Sequence, residues 1–125
     1  MIKTLKFLIL LFLVGVLSLQ FVACNNIKVA YYLGTDVPTF TCVTGIEKTS
    51  TGYMEDGTPY YKYVTSKSEK CADKYIDYLI NEQGFTELES GMEKYSITML
   101  IKGAYGVLID QSEDNTVKVM PYDRY

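Results

Sequence analysis

Histidine and tryptophan are both absent from this 125-residue chain, and cysteine and proline occur only three times each. Without histidine, Ser-His-Asp and Cys-His catalysis, His-ligated zinc and imidazole-based pH switching are all excluded. No G-x-x-x-x-G-K-[ST] and no G-x-G-x-x-G occurs, so the phosphate-cradling loops that carry a recognisable sequence are missing too. The cysteines, Cys24, Cys42 and Cys71, lack the Cys-x-x-Cys spacing of a redox pair. Internal repeats and low-complexity tracts are also lacking. One stretch, Asp110-Gln111-Ser112-Glu113-Asp114-Asn115, places oxygen side chains at alternate positions as a calcium loop does. It has Asn115 where that loop needs glycine and Pro121 where it needs a bidentate glutamate, so it reads as a solvated turn. Acidic residues are scattered, with no pairing that marks a hydrolytic site. The expectation is a non-catalytic protein with no metal and no cofactor.

What the chain does have begins at its N-terminus. Lys3 and Lys6 precede eleven consecutive apolar residues, 7–17, and the segment closes on Phe21-Val22-Ala23-Cys24. A basic start, a short apolar run and small residues at its end are the marks of an export signal. Eleven residues fall short of the ~20 that span a bilayer. Continuing to Ala23, interrupted only by Ser18 and Gln20, gives a segment long enough for an uncleaved anchor. In either case the lysines hold the N-terminus on the cytoplasmic side. Phe21-Val22-Ala23-Cys24 resembles the lipobox of bacterial lipoproteins, with Phe21 where leucine is usual. That resemblance implies a signal peptide over 1–23 and a diacylglyceryl thioether on Cys24. Three outcomes stay open at this point: lipidation of Cys24, simple secretion after cleavage, and an uncleaved anchor.

The odd cysteine count fits lipidation, because an exported chain with three cysteines leaves one unpaired. Cys42 and Cys71 are then expected to pair in an oxidising compartment. Closing a loop of about 30 residues would remove denatured-state entropy worth about 3 to 4 kcal/mol. The alternative is two separate thiols packed as small apolar residues.

Lys3 and Lys6 are two of the 12 basic residues, so residues 24–125 carry 10 basic against 15 acidic side chains, a net charge of −5. That balance speaks against nucleic acid, which selects a basic surface. It also leaves attachment to acyl chains rather than to anionic head groups. Residues 24–30 form a short tether, at most ~35 Å at full extension, so the domain of residues 31–125 is expected close to the outer face of the membrane.

Within the domain, Tyr32-Leu33-Gly34-Thr35-Asp36-Val37-Pro38-Thr39-Phe40 mixes turn formers with apolar residues. It reads as an ordered lead-in with a helical turn over 38–43, packing Val37, Phe40 and Val43 under a sheet. Asp56-Gly57 predicts a two-residue type I′ hairpin joining strands over 46–54 and 58–65, with Pro59 at a strand end or edge. Residues 66–83 predict the main helix. Ser66 and Glu69 have capping-box spacing, Ala72, Tyr75, Ile76, Leu79 and Ile80 make one apolar stripe, and Gly84 with Phe85 suits the C-terminal stop. A short segment over 86–90, broken at Gly91, leads into strands over 95–102, 105–110 and 116–120. In the first of these strands Tyr95, Ile97, Met99 and Ile101 alternate with Ser96, Thr98 and Lys102, and in the second Tyr105, Val107 and Ile109 share a face. The expectation is an α+β fold, an antiparallel sheet of about five strands with one helix on one face (ββαβββ).

The Tyr-x-Gly-Thr-x-Val-Pro-x-Phe pattern of residues 32–40, followed by a tyrosine-rich hairpin and a helix ending in Gly-Phe, resembles small uncharacterised lipoproteins of Gram-positive bacteria. The resemblance covers roughly residues 31–120 and implies lipid anchoring, but carries no activity. All 12 tyrosines lie beyond residue 24, more than one small core needs, and tyrosine is enriched at recognition surfaces. Two function classes follow. One is a membrane-anchored accessory module that docks a protein partner on its sheet or on the sheet's edge. The other is a cell-wall glycan- or peptide-binding module, with Tyr60, Tyr61 and Tyr63 as the candidate contacts.

Overall fold

The computed structural model describes residues 29–124. The expected signal peptide over 1–23, Cys24 and Tyr125 lie outside the described residues. The elements in chain order are α1 (Phe40–Thr44), β1 (Ser50–Tyr53), β2 (Pro59–Val64), α2 (Ser68–Asn81), β3 (Thr86–Leu88), a 3-10 turn (Glu93–Tyr95), β4 (Ile97–Lys102), β5 (Tyr105–Asp110) and β6 (Thr116–Asp123). The strands form one antiparallel sheet of six in the order β1-β2-β6-β5-β4-β3, with α2 against one face. The fold is α+β as expected, and the short segment after the helix makes the sixth strand.

Three local differences from the sequence expectations have physical causes. The Asp56-Gly57 turn is a three-residue loop, because a type I′ turn needs positive φ at both central residues and here only Gly57 has it (φ 87°). The Gly57 amide donates to the Met54 carbonyl and the Met54 amide to the Thr58 carbonyl, while the Asp56 carboxylate accepts the Thr58 amide at 2.9 Å. The capping box at Ser66 does not form. The helix starts at Ser68 with Lys67 at the cap and no side-chain bond there. The chain before it is already held, since the Thr65 amide donates to Asn115 and the Lys67 amide to the Thr65 hydroxyl. The third difference is β4, taken up below.

The helix stop forms as read. Gly84 takes φ 78°, the Phe85 amide donates back to the Leu79 carbonyl at 3.0 Å, and Phe85 is buried. The buried stripe of α2 is Ala72, Tyr75 and Leu79, with Ile76 and Ile80 at its margins. It faces Val107 and Ile109 of β5, Val117 and Val119 of β6, Tyr63 of β2 and Leu100 of β4. Val37, Phe40 and Val43 of the lead-in close the same core. The lead-in folds back on itself through a bridge between Tyr31 and Pro38, with the Tyr32 amide donating to the Val37 carbonyl.

A tyrosine node pins that lead-in. The Tyr32 and Tyr63 hydroxyls lie 2.6 Å apart, the Phe40 amide donates to the Tyr32 hydroxyl, and the Tyr75 hydroxyl donates to the Pro38 carbonyl. Phe40 packs its ring against Tyr63 at 4.5 Å and against Tyr75 at 5.2 Å. Helix α1 starts one residue after its N-cap Thr39, whose hydroxyl accepts the Cys42 amide. Burial pushes all three phenols upward from the ordinary tyrosine range, Tyr63 to about 12.

Candidate functional site

Cys24, the expected lipidation site, lies outside the described residues. Cys42 and Cys71 are free thiols, which corrects the expected disulfide. The Cys42 thiol is turned back onto its own segment, donating to the Thr39 carbonyl at 3.1 Å and lying 3.7 Å from that of Ala30. Cys71 sits in the first turns of α2. Both are half-buried against the core cluster, the role of small apolar residues.

The three candidate tyrosines do not share a surface, because strand alternation sends their side chains to opposite faces. Tyr63 is 1% exposed and belongs to the core, so it offers no contact to a ligand. Tyr61 stacks on Tyr32 with ring centroids 4.4 Å apart, with the Lys48 ammonium 5.7 Å from its centroid. Tyr60 alone points to the face that carries no helix. The 110–115 turn is held by its own bonds: Asp110 accepts the Ser112 amide, and Asn115 takes φ 55°. Glu113 reaches Lys62 at 3.4 Å and Lys118 at 3.6 Å. No group of three or more cysteine or acidic side chains among the described residues is arranged to hold a metal.

The feature that sequence reasoning missed is that helix-free face. Leu100 sits at zero exposure opposite Val107, so β4 gives its single leucine to the core. Ile97, Met99 and Ile101, the alternating apolar set, therefore point away from the helix. Register carries the pattern across the sheet: Leu88 pairs with Met99, Met99 with Leu108, and Leu108 with Met120. Met120 lies beside Tyr60 on the next strand, since their neighbours Val119 and Tyr61 are paired. An apolar row thus runs through β2, β6, β5, β4 and β3. A second row adds Tyr122 and Ile101 through Gly106.

Two glycines let tyrosine rings lie flat on this face. A Cβ placed on Gly52 would lie 2.2 Å from the ring of its partner Tyr60, and one on Gly106 would lie 2.3 Å from that of its partner Tyr122. Aromatic side chains covering cross-strand glycines restore the contact the glycines lack. The β1–β2 hairpin overhangs the rows and closes a groove of about 720 Å³, lined by Met54, Met99, Leu108, Met120 and Tyr122, with Glu55, Asp56 and Asp123 along its margin. The Thr58 amide on Asp56 holds that carboxyl below the usual carboxylate range. On the opposite margin Lys62 and Lys118 share Glu113, Asp110 pairs with Lys118 in register, and the Lys118 ammonium stands 5.6 Å from the Tyr60 centroid.

Two other concavities differ in character. A larger trough of about 1040 Å³, between the start of α2 and the β5–β6 turn, is polar, with Lys67, Lys70, Glu69, Asp73 and Glu93 intermixed. A cleft of about 290 Å³ at the lead-in is bounded by Tyr31, Tyr105 and Phe85, with Asp36, Gln83 and Lys102 beside them.

The class defined by this geometry is a two-layer α+β domain with an open antiparallel sheet and an apolar band on its uncovered face. Compared with protein-family models, curated proteins and solved structures, the chain has no match. No helix among the described residues is long and apolar enough to cross a membrane.

Proposed function

We propose that this chain is an extracytoplasmic lipoprotein, held at the outer face of the membrane by acylation of Cys24. Its domain works as a non-catalytic accessory module that docks a protein partner on the uncovered face of the sheet. The observation that carries the docking half of this reading is the apolar row of Tyr60, Met120, Leu108, Met99 and Leu88. An antiparallel sheet with one face in water ordinarily alternates apolar and polar residues. In this row Leu88 is exposed, Tyr60, Leu108 and Met99 are half-buried and Met120 is buried by its neighbours on the same face. A contiguous apolar band on a face without a helix marks a contact surface. The anchoring half rests on Lys3, Lys6, the apolar run and Cys24, together with the short tether.

Two experiments test the halves separately. Incorporation of labelled fatty acid is expected in the native chain and lost in Cys24→Ser; an unmodified intact mass for the native chain refutes anchoring. A photoreactive residue at Met99 is expected to crosslink to a partner where one at Asp73, on the exposed side of α2, does not. Equal crosslinking from both positions refutes docking on the open face.

The glycan or peptide reading keeps one foothold, in the cleft flanked by Tyr31 and Tyr105 rather than in Tyr60, Tyr61 and Tyr63. Aromatic walls beside Asp36 and Gln83 are the chemistry a sugar ring needs. Retention on cell-wall fragments that Tyr105→Ala abolishes would favour it, and no retention of the native chain would end it.

A further inference from the structure

We infer that the open-face groove takes a basic amphipathic helix of a partner protein, an assignment that rests on the interaction-module reading above. Length is the first argument. The row from Tyr60 to Leu88 crosses five strands, which at about 4.8 Å per spacing is roughly 19 Å. A helix of about 13 residues has that length, and its ~10 Å diameter suits two adjacent side-chain rows.

Surface chemistry is the second. Three of the four methionines among the described residues, Met54, Met99 and Met120, line this groove. Methionine is flexible and polarisable, and surfaces built from it accept the apolar stripe of a helix without strict shape matching. Tyr122 and Tyr60 add flat aromatic walls fixed by Gly106 and Gly52.

Charge is the third and sets the sign of the partner. Along the margin nearest the 110–115 turn, Lys62 and Lys118 are balanced by Glu113 and Asp110. The hairpin margin carries Glu55 and Asp56. The residual field at the groove is therefore negative, within a domain that is itself acidic. An apolar helix flanked by lysine or arginine complements both parts, whereas one flanked by acidic residues meets like charge at the hairpin.

The test uses the full chain in phosphatidylcholine nanodiscs, with empty nanodiscs as reference. The probe is a dye-labelled 18-residue peptide of leucine and lysine in helical periodicity, paired with a counterpart carrying glutamate for lysine; as a helix of about 27 Å it covers the row with about one turn to spare at each end. Fluorescence anisotropy is expected to show the lysine peptide binding about tenfold or more tighter than the glutamate peptide. Leu108→Gln, at the centre of the row, should weaken it by a similar factor. Glu55→Lys should weaken it several-fold and flatten its salt dependence. Far-ultraviolet circular dichroism checks that Leu108→Gln is folded; if it is not, Glu55→Lys in the exposed hairpin decides alone. Equal affinity for the two peptides, no binding of either, or an unchanged affinity in Glu55→Lys overturns the assignment. So does a dimer in light scattering that Leu108→Gln dissolves. That last result would put a second copy on the face, refuting the basic helix while leaving the docking surface in place.

Discussion

Removing one oxygen from Tyr32 should cost the domain more than removing one from its partner Tyr63. The Tyr32 hydroxyl has two buried partners, the Tyr63 hydroxyl at 2.6 Å and the Phe40 amide at 3.1 Å. That amide belongs to the first residue of α1, so it has no partner within the helix. In Tyr32→Phe the amide is left without its partner in a site where Tyr32 is 5% and Phe40 0% exposed, while the Tyr63 hydroxyl loses this oxygen but keeps Thr41. At about 1 to 3 kcal/mol for the orphaned amide and about 1 kcal/mol for the lost bond between the hydroxyls, the expected loss is roughly 2 to 4 kcal/mol. In Tyr63→Phe the Tyr32 oxygen still accepts from Phe40, so the expected loss is about 1 to 2 kcal/mol. Against a total of about 5 to 15 kcal/mol for a domain, the first change is visible as a marked fall in denaturation midpoint. Urea titrations of the two single variants and the double variant give both losses and their coupling. The double variant should lose less than the sum by about 1 kcal/mol, since each single change already breaks the shared bond. Equal losses in the two single variants, or strict additivity, would refute the node as the pin between the lead-in and the sheet.

Raising the pH supplies a second test of the same node. Tyr32, Tyr63 and Tyr75 keep their protons in the folded state above the ordinary value of 10.0, while the unfolded chain loses them. Stability is thus fully present below about pH 10 and should fall as pH rises beyond it, by up to about 1.4 kcal/mol per pH unit for each tyrosine. A part of the phenolate absorbance, about that of three tyrosines, appearing only together with unfolding would agree; reversible ionisation of all the tyrosines in the folded protein would not. Gly106→Ala should cost about 1 kcal/mol, because its Cβ must displace the Tyr122 ring. In a Tyr122→Ala background the same change should be neutral or stabilising; a cost that persists there refutes the glycine–tyrosine contact. Alkylation of the unfolded, unreduced domain should modify both Cys42 and Cys71, whereas full protection until reductant is added would contradict the two free thiols.

Much of the fold was legible because local chemistry and tertiary packing agreed. The α2 stripe, the Gly84–Phe85 stop and the core side chains Val37, Phe40 and Val43 all sit where spacing placed them. The shared face of Tyr105, Val107 and Ile109 is likewise the core face. What could not be read depends on partners far away in sequence. Strand β6 inserts between β2 and β5, a pairing that no local pattern announces. Its Pro121 is tolerated because the ladder with β2 ends at Val119. The tyrosines of β2 were visible as a cluster, but their division between core and open face followed only from strand position.

Strand β4 shows why the candidate site itself was hidden. Its sequence, Ile97-Thr98-Met99-Leu100-Ile101-Lys102, is apolar on both faces, so a period of two finds the alternation without deciding which face is the core. Taken alone, three apolar residues against one point inward. Register decides otherwise: Leu100 stands opposite Val107, and a one-residue slip would bring Met99 or Ile101 under α2 while exposing Leu100. The same register turns Met99 toward Leu108 and Met120. Burying Leu100 thus commits the richer apolar set of β4 to the outer face, where no helix among the described residues covers it. A sheet that served only its own core would be expected to carry polar residues at those positions. The conflict between pattern and register in this one strand is therefore the strongest internal argument that the outer face is a contact surface. Met99→Thr supplies the discriminating measurement. It should leave stability within about 1 kcal/mol, as for a residue outside the core, while abolishing crosslinking from the neighbouring Leu108 position. A loss of several kcal/mol would instead place Met99 in the structural core and remove the argument.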